Sequence, residues 1–600
     1  MKVVKGLSSA VLLTLLLGSA SAVYADEVQE YALDTMVVTA TRVEQKAFDT
    51  QADITVITRE DLEKKHYTDL GDALKDVPGV TLQNYGVTGE NYSSNRLYIN
   101  GSSNLVVLVD GMRANVNGST SGALSPSEYA NLDTVERIEI LKGSASTLYG
   151  ADAVGGVINI ITRKQNENGV RTSISAIGGS YNRQTYRFMN QGNVDGTYWM
   201  VAAQKNLAKD FKDADGDKIS HKVDSKDYKL TLGHKFGDNA DVTLKYSKYK
   251  SDYERPANGG LLPQLADRNK GKKDIDKLSL AWQQKLTDEL SNSMVIYRNT
   301  NNLNDSYNKP KSIWLMDLKT VGFTDQLTYK VDNNTLIAGY DYYKDTVNDY
   351  SASGGSNKFS GKSIDNKAFF IQDEFKFAKF FNITPGLRYT KTSQFGSNTS
   401  KSVTIGYDND KTNVYASYKE FFVAPKIAEL YSKYGDPSLK AADGNTKEIG
   451  IKQQLGNDFT ATLSYFKTKA SNMIAYNGAT GHYAKNEYNE QYNRWVIKKS
   501  NAGNKDQTYV LWNIPKEVIE HIIFPLSDFE NKDQIRKIAR DAGLEVANKP
   551  DSEDICFIPN GNYKEFLEIN SSIKPKAGNI VNSNGEILGR HTGLYNYTIG

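Results

Sequence analysis

The 600 residues carry 73 Lys and Arg against 71 Asp and Glu, a formal net charge of +2 that excludes a protein built mainly to coat nucleic acid. A mean hydropathy of −0.54 excludes a polytopic helical membrane protein, which needs repeated apolar runs of about 20 residues, but not a membrane β-barrel, whose alternating strands read as polar on average. One Cys excludes an intrachain disulfide, and 37 Tyr with 47 Gly beside 13 Pro suit strands and interfacial aromatic girdles.

At the N-terminus, Lys2 and Lys5 precede a short apolar core, Ala10–Leu17, and the run Ser19–Ala25 ends in small residues with Val23 and Ala25 at cleavage spacing. The pattern predicts a secretory signal peptide over 1–25, too short to be a spanning helix. Next, Asp34–Arg42 reads DTMVVTATR. Its β-propensity, with no partner strand close by, predicts an unpaired extended segment suited to recruiting another protein's strand. The string resembles the TonB box of TonB-dependent outer-membrane receptors. That resemblance assigns Asp34, Thr35, Met36, Val37, Val38, Thr39 and Ala40 to the box, within a linker over 26–44.

Residues 45–165 read as a small α/β domain. Ile54–Ile57 is a β-branched run, and Thr58 with Asp61 forms a capping-box pattern that opens a helix around Leu62. A second helix, Asp69 to Lys75, is stopped by Val77-Pro78-Gly79. Arg96 to Asn100 and Leu105 to Asp110 read as strands, with Asp110-Gly111 as a turn. In Val135–Thr162 (VERIEILKGSASTLYGADAVGGVINIIT) the glycines mark tight turns and close backbone approach. DALKDVPGV, LVVLVDGMR and this last string, in this order, resemble the plug domain of TonB-dependent receptors. Gly143, Tyr149, Gly150, Gly155 and Gly156 carry its motif.

From about Gly169 to Ile474 the period becomes two. Val242, Leu244 and Tyr246 share a face, as do Val414, Ala416 and Tyr418, and Phe459, Ala461, Leu463 and Tyr465. Polar stretches such as Lys205 to Lys226 read as loops. This is the pattern of an outer-membrane barrel with an apolar lipid face and a polar lumen. Phe421–Gly450 also resembles a stretch that the same receptors carry. At roughly 20 residues per strand and loop, 166–478 supplies about 14–15 of the 22 strands of a plugged barrel. The expected barrel is therefore incomplete.

After Tyr476 the alternation stops. Ile535, Ile538, Ala539 and Ala542 fall at helical spacing before Gly543, which predicts a soluble α/β segment over 479–600. ATGHYA, KDQTYVL, FPLSDF, KPDSEDICFIP and GEILGRHTGLYNYTIG resemble the tRNA-specific 2-thiouridylase (MnmA) family. The resemblance matches Cys556 to the second of that family's active cysteines, with Asp554 beside it, and Lys505, Asp506 and Gln507 to a tRNA-handling segment. The family's ATP-binding loop (SGG-x-D-S) and first cysteine have no counterpart here. The 15 Lys and Arg against 16 Asp and Glu in this segment give no basic excess for phosphates.

The fold class expected is thus a membrane β-barrel with an α/β plug and a C-terminal soluble α/β fragment, joined near residue 478 as a chimera. For the receptor part, the resemblance implies TonB with its inner-membrane energising complex as partner, and outer-membrane lipid around the barrel. It implies an extracellular metal-chelate ligand and no nucleic acid. FVAP (Phe422–Pro425) and DPSL (Asp436–Leu439) enclose no His, which disfavours haem. A ferric siderophore is the first expectation and cobalamin the second. No cofactor, resident metal or active catalytic residue is expected. The alternative is an enzyme that thiolates the tRNA wobble uridine through Cys556.

Overall fold

The computed structural model describes residues 35–67, 69–83, 96–114 and 131–477 (apart from 181, 213–215, 217, 220, 257–267, 308–311, 353–355, 410 and 456–458), and then 482–485, 532–541, 578–581 and 586–591. The chain divides near Asn477 into two compact units.

In the first unit, a five-stranded sheet forms the heart of the plug. Its order is Ile54–Ile57, Val135–Lys142, Gly156–Thr162, Leu105–Val109, Met112–Arg113. Only the pairing of Leu105–Val109 with Gly156–Thr162 is parallel. Both faces are covered, and so LVVLVD reads as a continuous apolar run. On one face Val107, Ile138, Ile140, Ile158 and Ile160 pack with Leu62, Leu70 and Leu74 of the helices Arg59–Lys64 and Leu70–Lys75. On the other face Val106, Leu108, Leu141 and Val157 meet the short helix Ser146–Tyr149 and, across the interface, Ile337 and Phe370 of the barrel wall. The first helix opens with the predicted capping box: Thr58 Oγ1 accepts from the Asp61 amide while Asp61 accepts from the Thr58 amide. Asp69 caps the second.

Around the plug runs an up-and-down sheet of 15 strands, from Gly169–Gly179 to Thr460–Ser471. Short turns (195–196, 332–333, 379–380) close one end, and longer connections (209–221, 257–267, 424–441) the other. In barrels of this kind the short turns are periplasmic and the long loops extracellular. The alternation holds residue by residue. Leu244, Tyr246, Leu463 and Tyr465 are exposed on the outer face, whereas Asn413, Tyr415 and Ser417 point inward and are buried. Along Ser312–Val331 the outward positions Val331, Tyr329, Leu327, Phe323 and Val321 span about 11 residues, the length a tilted strand needs to cross hydrocarbon. Asp325 interrupts this run, and Asn292 Nδ2 donates to it at 2.7 Å.

Two expectations need correction. Lys205 to Lys226 is not one loop: Thr197–Ala208 and Lys222–Phe236 pair in register through Lys205↔Lys226 and Leu207↔Asp224. Strands here run well past the apolar band, and beyond it neither face touches lipid, so hydropathy gives no sign that the strand continues. The second helix begins at Leu70 rather than Asp69, because Asp69 stays extended to cap it.

All neighbouring pairs in the sheet are antiparallel, so with 15 strands the first and last run the same way and cannot close on one another antiparallel. Among the described residues no pairing joins them. No helix among these residues is long and apolar enough to cross a membrane, which says nothing of strands.

In the second unit the described elements are the helix Lys532–Asp541 and a hairpin of Gly578–Val581 with Ile587–His591. The helix covers the predicted Ile535, Ile538 and Ala539, while Ala542 and Gly543 fall outside the described residues.

The two-faced wall predicts a labelling pattern. In a Cys556→Ser background and in lipid, Leu244→Cys and Ile296→Cys should react with a water-soluble maleimide at least about 10-fold more slowly than Lys272→Cys. Equal rates would contradict the assignment of the band.

Candidate functional site

The site lies where the N-terminal segment, the plug and the inner wall meet. Glu139 lies between Ile138 and Ile140, on the opposite face of its strand from theirs, and is completely buried. A buried carboxylate must be compensated, and four donors do so. The amides of Val38 and Thr39 reach its Oε2 at 2.9 and 2.8 Å, the Thr39 hydroxyl at 2.6 Å, and Arg137 Nε reaches Oε1 at 2.8 Å. Tyr149 OH donates to the Thr39 carbonyl at 2.9 Å. Burial pushes the Tyr149 phenol well above its ordinary value, although the Arg42 guanidinium pulls the other way. It therefore stays a donor.

The segment predicted to be unpaired is paired. Met36–Val37 forms a two-residue antiparallel bridge with Gln45–Lys46, and Val37 and Thr39 are buried. The reason is local: the chain reverses over 38–44 and supplies its own partner strand, while Glu139 takes up the amides that follow. Asp34 lies outside the described residues; Thr35 to Ala40 lie within them.

Arg42 continues the site into the wall. Its guanidinium stacks over Tyr149 and Phe370 at 4.8 and 4.3 Å, donates to the Leu148 carbonyl at 2.5 Å and meets Asp341 Oδ2 at 3.3 Å. Arg388 approaches the same Asp341 oxygen at 2.7 Å and the same Leu148 carbonyl at 3.1 Å. One buried carboxylate of the wall is thus shared by a cation of the N-terminal segment and a cation of the wall. A second node joins Arg113 to Asp152 at 3.0 Å and to the carbonyl of Ala151, with Arg113 over the Tyr343 ring at 5.1 Å. Burial opposes the Arg113 charge, but Tyr343, Asp152 and Asp345 hold its pKa above the ordinary value.

The plug-motif residues support these nodes. Gly150 has φ +77°, and a Cβ there would press within 3.1 Å of the Arg388 guanidinium. At Gly156 a Cβ would fall 2.1 Å from the Leu141 carbonyl oxygen. Gly143 and Gly155 occupy the turns on either side of the helix that carries Tyr149. Elsewhere the plug meets the wall through polar contacts: Lys245 with Asp110 at 2.7 Å, Arg187 with Asp133 at 3.2 Å, and Lys452 with the Thr50 carbonyl at 2.5 Å.

At the long-loop end the segment 424–441 folds inward. Its helix Ile427–Tyr431 buries Ile427 and Leu430 against Leu318, Val347 and Ile364, and the Phe422 carbonyl accepts from the Asp152 amide of the plug at 3.2 Å. Tyr350 and Phe359 stack at 4.7 Å there, and Lys362 sits over Tyr431 at 4.9 Å.

Residues 164–504 match the family model for the TonB dependent receptor-like β-barrel, and 46–157 match that of the TonB-dependent receptor plug domain. This chain belongs to the TonB-dependent receptors. A ferric enterobactin receptor (PfeA) of Pseudomonas aeruginosa superposes with a TM-score of 0.62 at 19% identity, over 73% of each chain. The siderophore receptor PirA of Acinetobacter baumannii gives 0.58 at 21% identity, over 71% of each. FpvA of P. aeruginosa, bound to pyoverdines, gives 0.61 at 16% identity, over 73% of this chain and 66% of that one. At these identities the likeness establishes the fold.

Residues 457–560 also match the tRNA methyl transferase HUP domain. The tRNA-specific 2-thiouridylase MnmA 1 of Thermoanaerobacter pseudethanolicus is 46% identical over 155 residues, 25% of this chain and 42% of that protein. MnmA of Caldicellulosiruptor saccharolyticus is 49% identical over 122 residues, 20% and 33%. The receptor is thus fused to a thiouridylase-like segment that spans between a third and two-fifths of these relatives. Cys556, Asp554, Lys505, Asp506 and Gln507 lie outside the described residues.

Sequence reasoning quoted Arg42, Arg113 and Glu139 inside motifs without giving them roles, and missed Asp341 and Arg388. A charged residue within a strand destined to be buried on both faces was the available signal for Glu139. Asp341 and Arg388 stand at inward positions among many polar residues, where nothing local singles them out.

Truncating Glu139→Ala strands three donors of the box segment, at about 1–3 kcal/mol for each left unsatisfied. Trypsin should then cut after Arg42 or Lys46 at least about 10-fold faster than in the parent chain. Asp341→Asn leaves two buried guanidinium groups facing a neutral amide and should cost about 3–5 kcal/mol, read as a lower thermal midpoint in detergent.

Proposed function

We propose that the receptor portion takes up a ferric siderophore across the outer membrane, with TonB pairing to the segment Asp34–Ala40 and supplying the force. The observation that carries this reading is the docking of that segment. It is held by a two-residue bridge and one carboxylate at the base of a plug, and the plug meets the barrel largely through hydrogen bonds and ion pairs. Such contacts exchange with water at small net cost, so a plug held this way can be displaced and can return. The siderophore receptors among the structural neighbours support the ligand class, and cobalamin is second. The signal peptide over 1–25 would deliver the chain to the envelope.

Mechanistically, the chain's own groups bind and release; none reacts. Aromatic rings and Lys362 near the inward helix 427–431 form a surface suited to an anionic chelate. Beneath it, the contacts of the plug with the wall at Arg113 over Tyr343, Asp152 N–H to the Phe422 carbonyl and Arg42–Asp341 must part for passage. Opening the 36–37/45–46 bridge frees an edge on which a partner strand can add.

The thiouridylase-like segment is, in this proposal, an inactive passenger of a chimeric gene. It follows an exported receptor, whereas tRNA and ATP are cytoplasmic, and Cys556 lacks the family's partner cysteine in this chain.

Three measurements check these readings. Ferric enterobactin should quench the tryptophan fluorescence of the detergent-purified chain saturably and cobalamin should not; the reverse result would reassign the ligand. Val37→Pro, which removes a ladder N–H, should leave that quenching intact while abolishing capture by the C-terminal domain of TonB. For the passenger segment, the parent chain and Cys556→Ser should be equally inactive in thiolating the wobble uridine, and any Cys556-dependent product would restore the enzyme reading.

A further inference from the structure

The stretch 47–53 joins the strand Gln45–Lys46 to Ile54–Ile57, the edge strand of the plug sheet, and the wall grips it by its backbone. Lys452, on the strand Ala442–Gln454, directs its ammonium at three carbonyls, those of Ala47, Phe48 and Thr50, at 2.8, 3.4 and 2.5 Å. Asn413, on Thr412–Val423, stands directly opposite Lys452 in register, and its Nδ2 donates to the Phe48 carbonyl at 2.9 Å. Both side chains are buried. Hydrogen bonds from a cation are roughly twice as strong as neutral ones.

Local contacts tie this grip to the segments on either side. Thr50 Oγ1 donates to the Lys46 carbonyl at 3.0 Å, so the gripped turn and the strand Gln45–Lys46 form one piece. The Ala47 amide donates to the Thr35 carbonyl at 2.8 Å, which fastens the box segment to the same residue that Lys452 holds. Further along, Ser464 Oγ donates to Asp53 at 3.1 Å. Gln51 fits where Gly406 leaves room in the wall, since a Cβ at 406 would fall 2.5 Å from the Gln51 side chain.

We infer that Lys452 and Asn413 are positioning residues that clamp 47–50 to the wall and keep a pull on the box from reaching the plug sheet until they release. The inference rests on the reading of 34–40 as the point where TonB pulls. Ile54–Ile57 is held in its sheet by one neighbour, Val135–Lys142, so a load passed along the chain would peel it away one pair at a time. Contacts from one ammonium to three carbonyls within four residues must instead part nearly together. Below that threshold the box segment detaches and docks again on Gln45–Lys46, which the clamp keeps in place. Above it the load enters the plug.

The test is a constant-force pull on the full chain, in a Cys556→Ser background and in a lipid nanodisc tethered through its belt. A DNA handle is attached at Glu44→Cys, an exposed position that follows the Glu139 and Arg42 contacts along the chain, so the clamp takes the load first. Lys452→Met with Asn413→Ala should shorten the first hold at least about 10-fold. Lys245→Met, which cuts a plug–wall contact on another sector of the wall, should leave the hold as it is in the parent. Should the double variant melt at a lower temperature than the parent, Asn413→Ala alone, which keeps the cation, should shorten the hold about two- to five-fold. A hold unchanged by the double substitution, or shortened equally by Lys245→Met, would overturn the proposal. The handle stands in for TonB, so a hold that ignores the clamp residues counts against the clamp alone, whereas failure of TonB to bind 34–40 counts against the reading beneath it.

Discussion

Everything in the receptor unit depends on one constraint: within the apolar band each wall residue faces either hydrocarbon or the lumen, and its neighbours face the other. The period of two turns this into chemistry. Leu244 and Tyr246 can meet lipid because Lys245, between them, reaches inward to Asp110 and Thr162 of the plug. A lumen lined this way cannot be sealed by apolar packing alone. It is filled by a domain whose surface is as polar as the wall, and the hydrogen bonds and ion pairs between them follow.

Within that polar interface, charge is concentrated at a few buried points. Glu139 gathers the N-terminal segment, the Arg42–Asp341–Arg388 cluster ties it to the wall, and Arg113 and Asp152, paired within the plug, meet the wall at Tyr343 and the Phe422 carbonyl. Each is strong while intact, because an unpaired charge there would be left in a medium of low polarity. Each is also separable as a unit, because every partner can be rehydrated. The apolar contact of Ile337 and Phe370 with the plug is small beside them. A plug wedged by leucines would be more stable and could not move.

The open sheet presents a different problem. The edges Gly169–Gly179 and Thr460–Ser471 point the same way along the barrel axis, so antiparallel closure requires an odd number of further strands between them. Unpaired backbone groups at those edges cost several kcal/mol each in hydrocarbon. The thiouridylase-like text begins where the next strands would be needed, and its described helix, with Ile538 on an exposed face, has no lipid-facing period.

The sequence alone determined the order of modules, the period of the wall, the capping box of the first plug helix and the change of text after Tyr476, because each is written in residues close together along the chain. Whether Met36–Val37 is paired, how far the strands outrun the membrane, and which of many inward polar residues share a buried carboxylate were decided only by the tertiary structure. Arg42, Asp341 and Arg388 are separated by 299 and 47 residues along the chain yet meet at one oxygen atom. No local pattern records that meeting; it exists because the register of a 15-stranded sheet brings Asp341 and Arg388 together on the inner wall and the docked N-terminal segment delivers Arg42 to them.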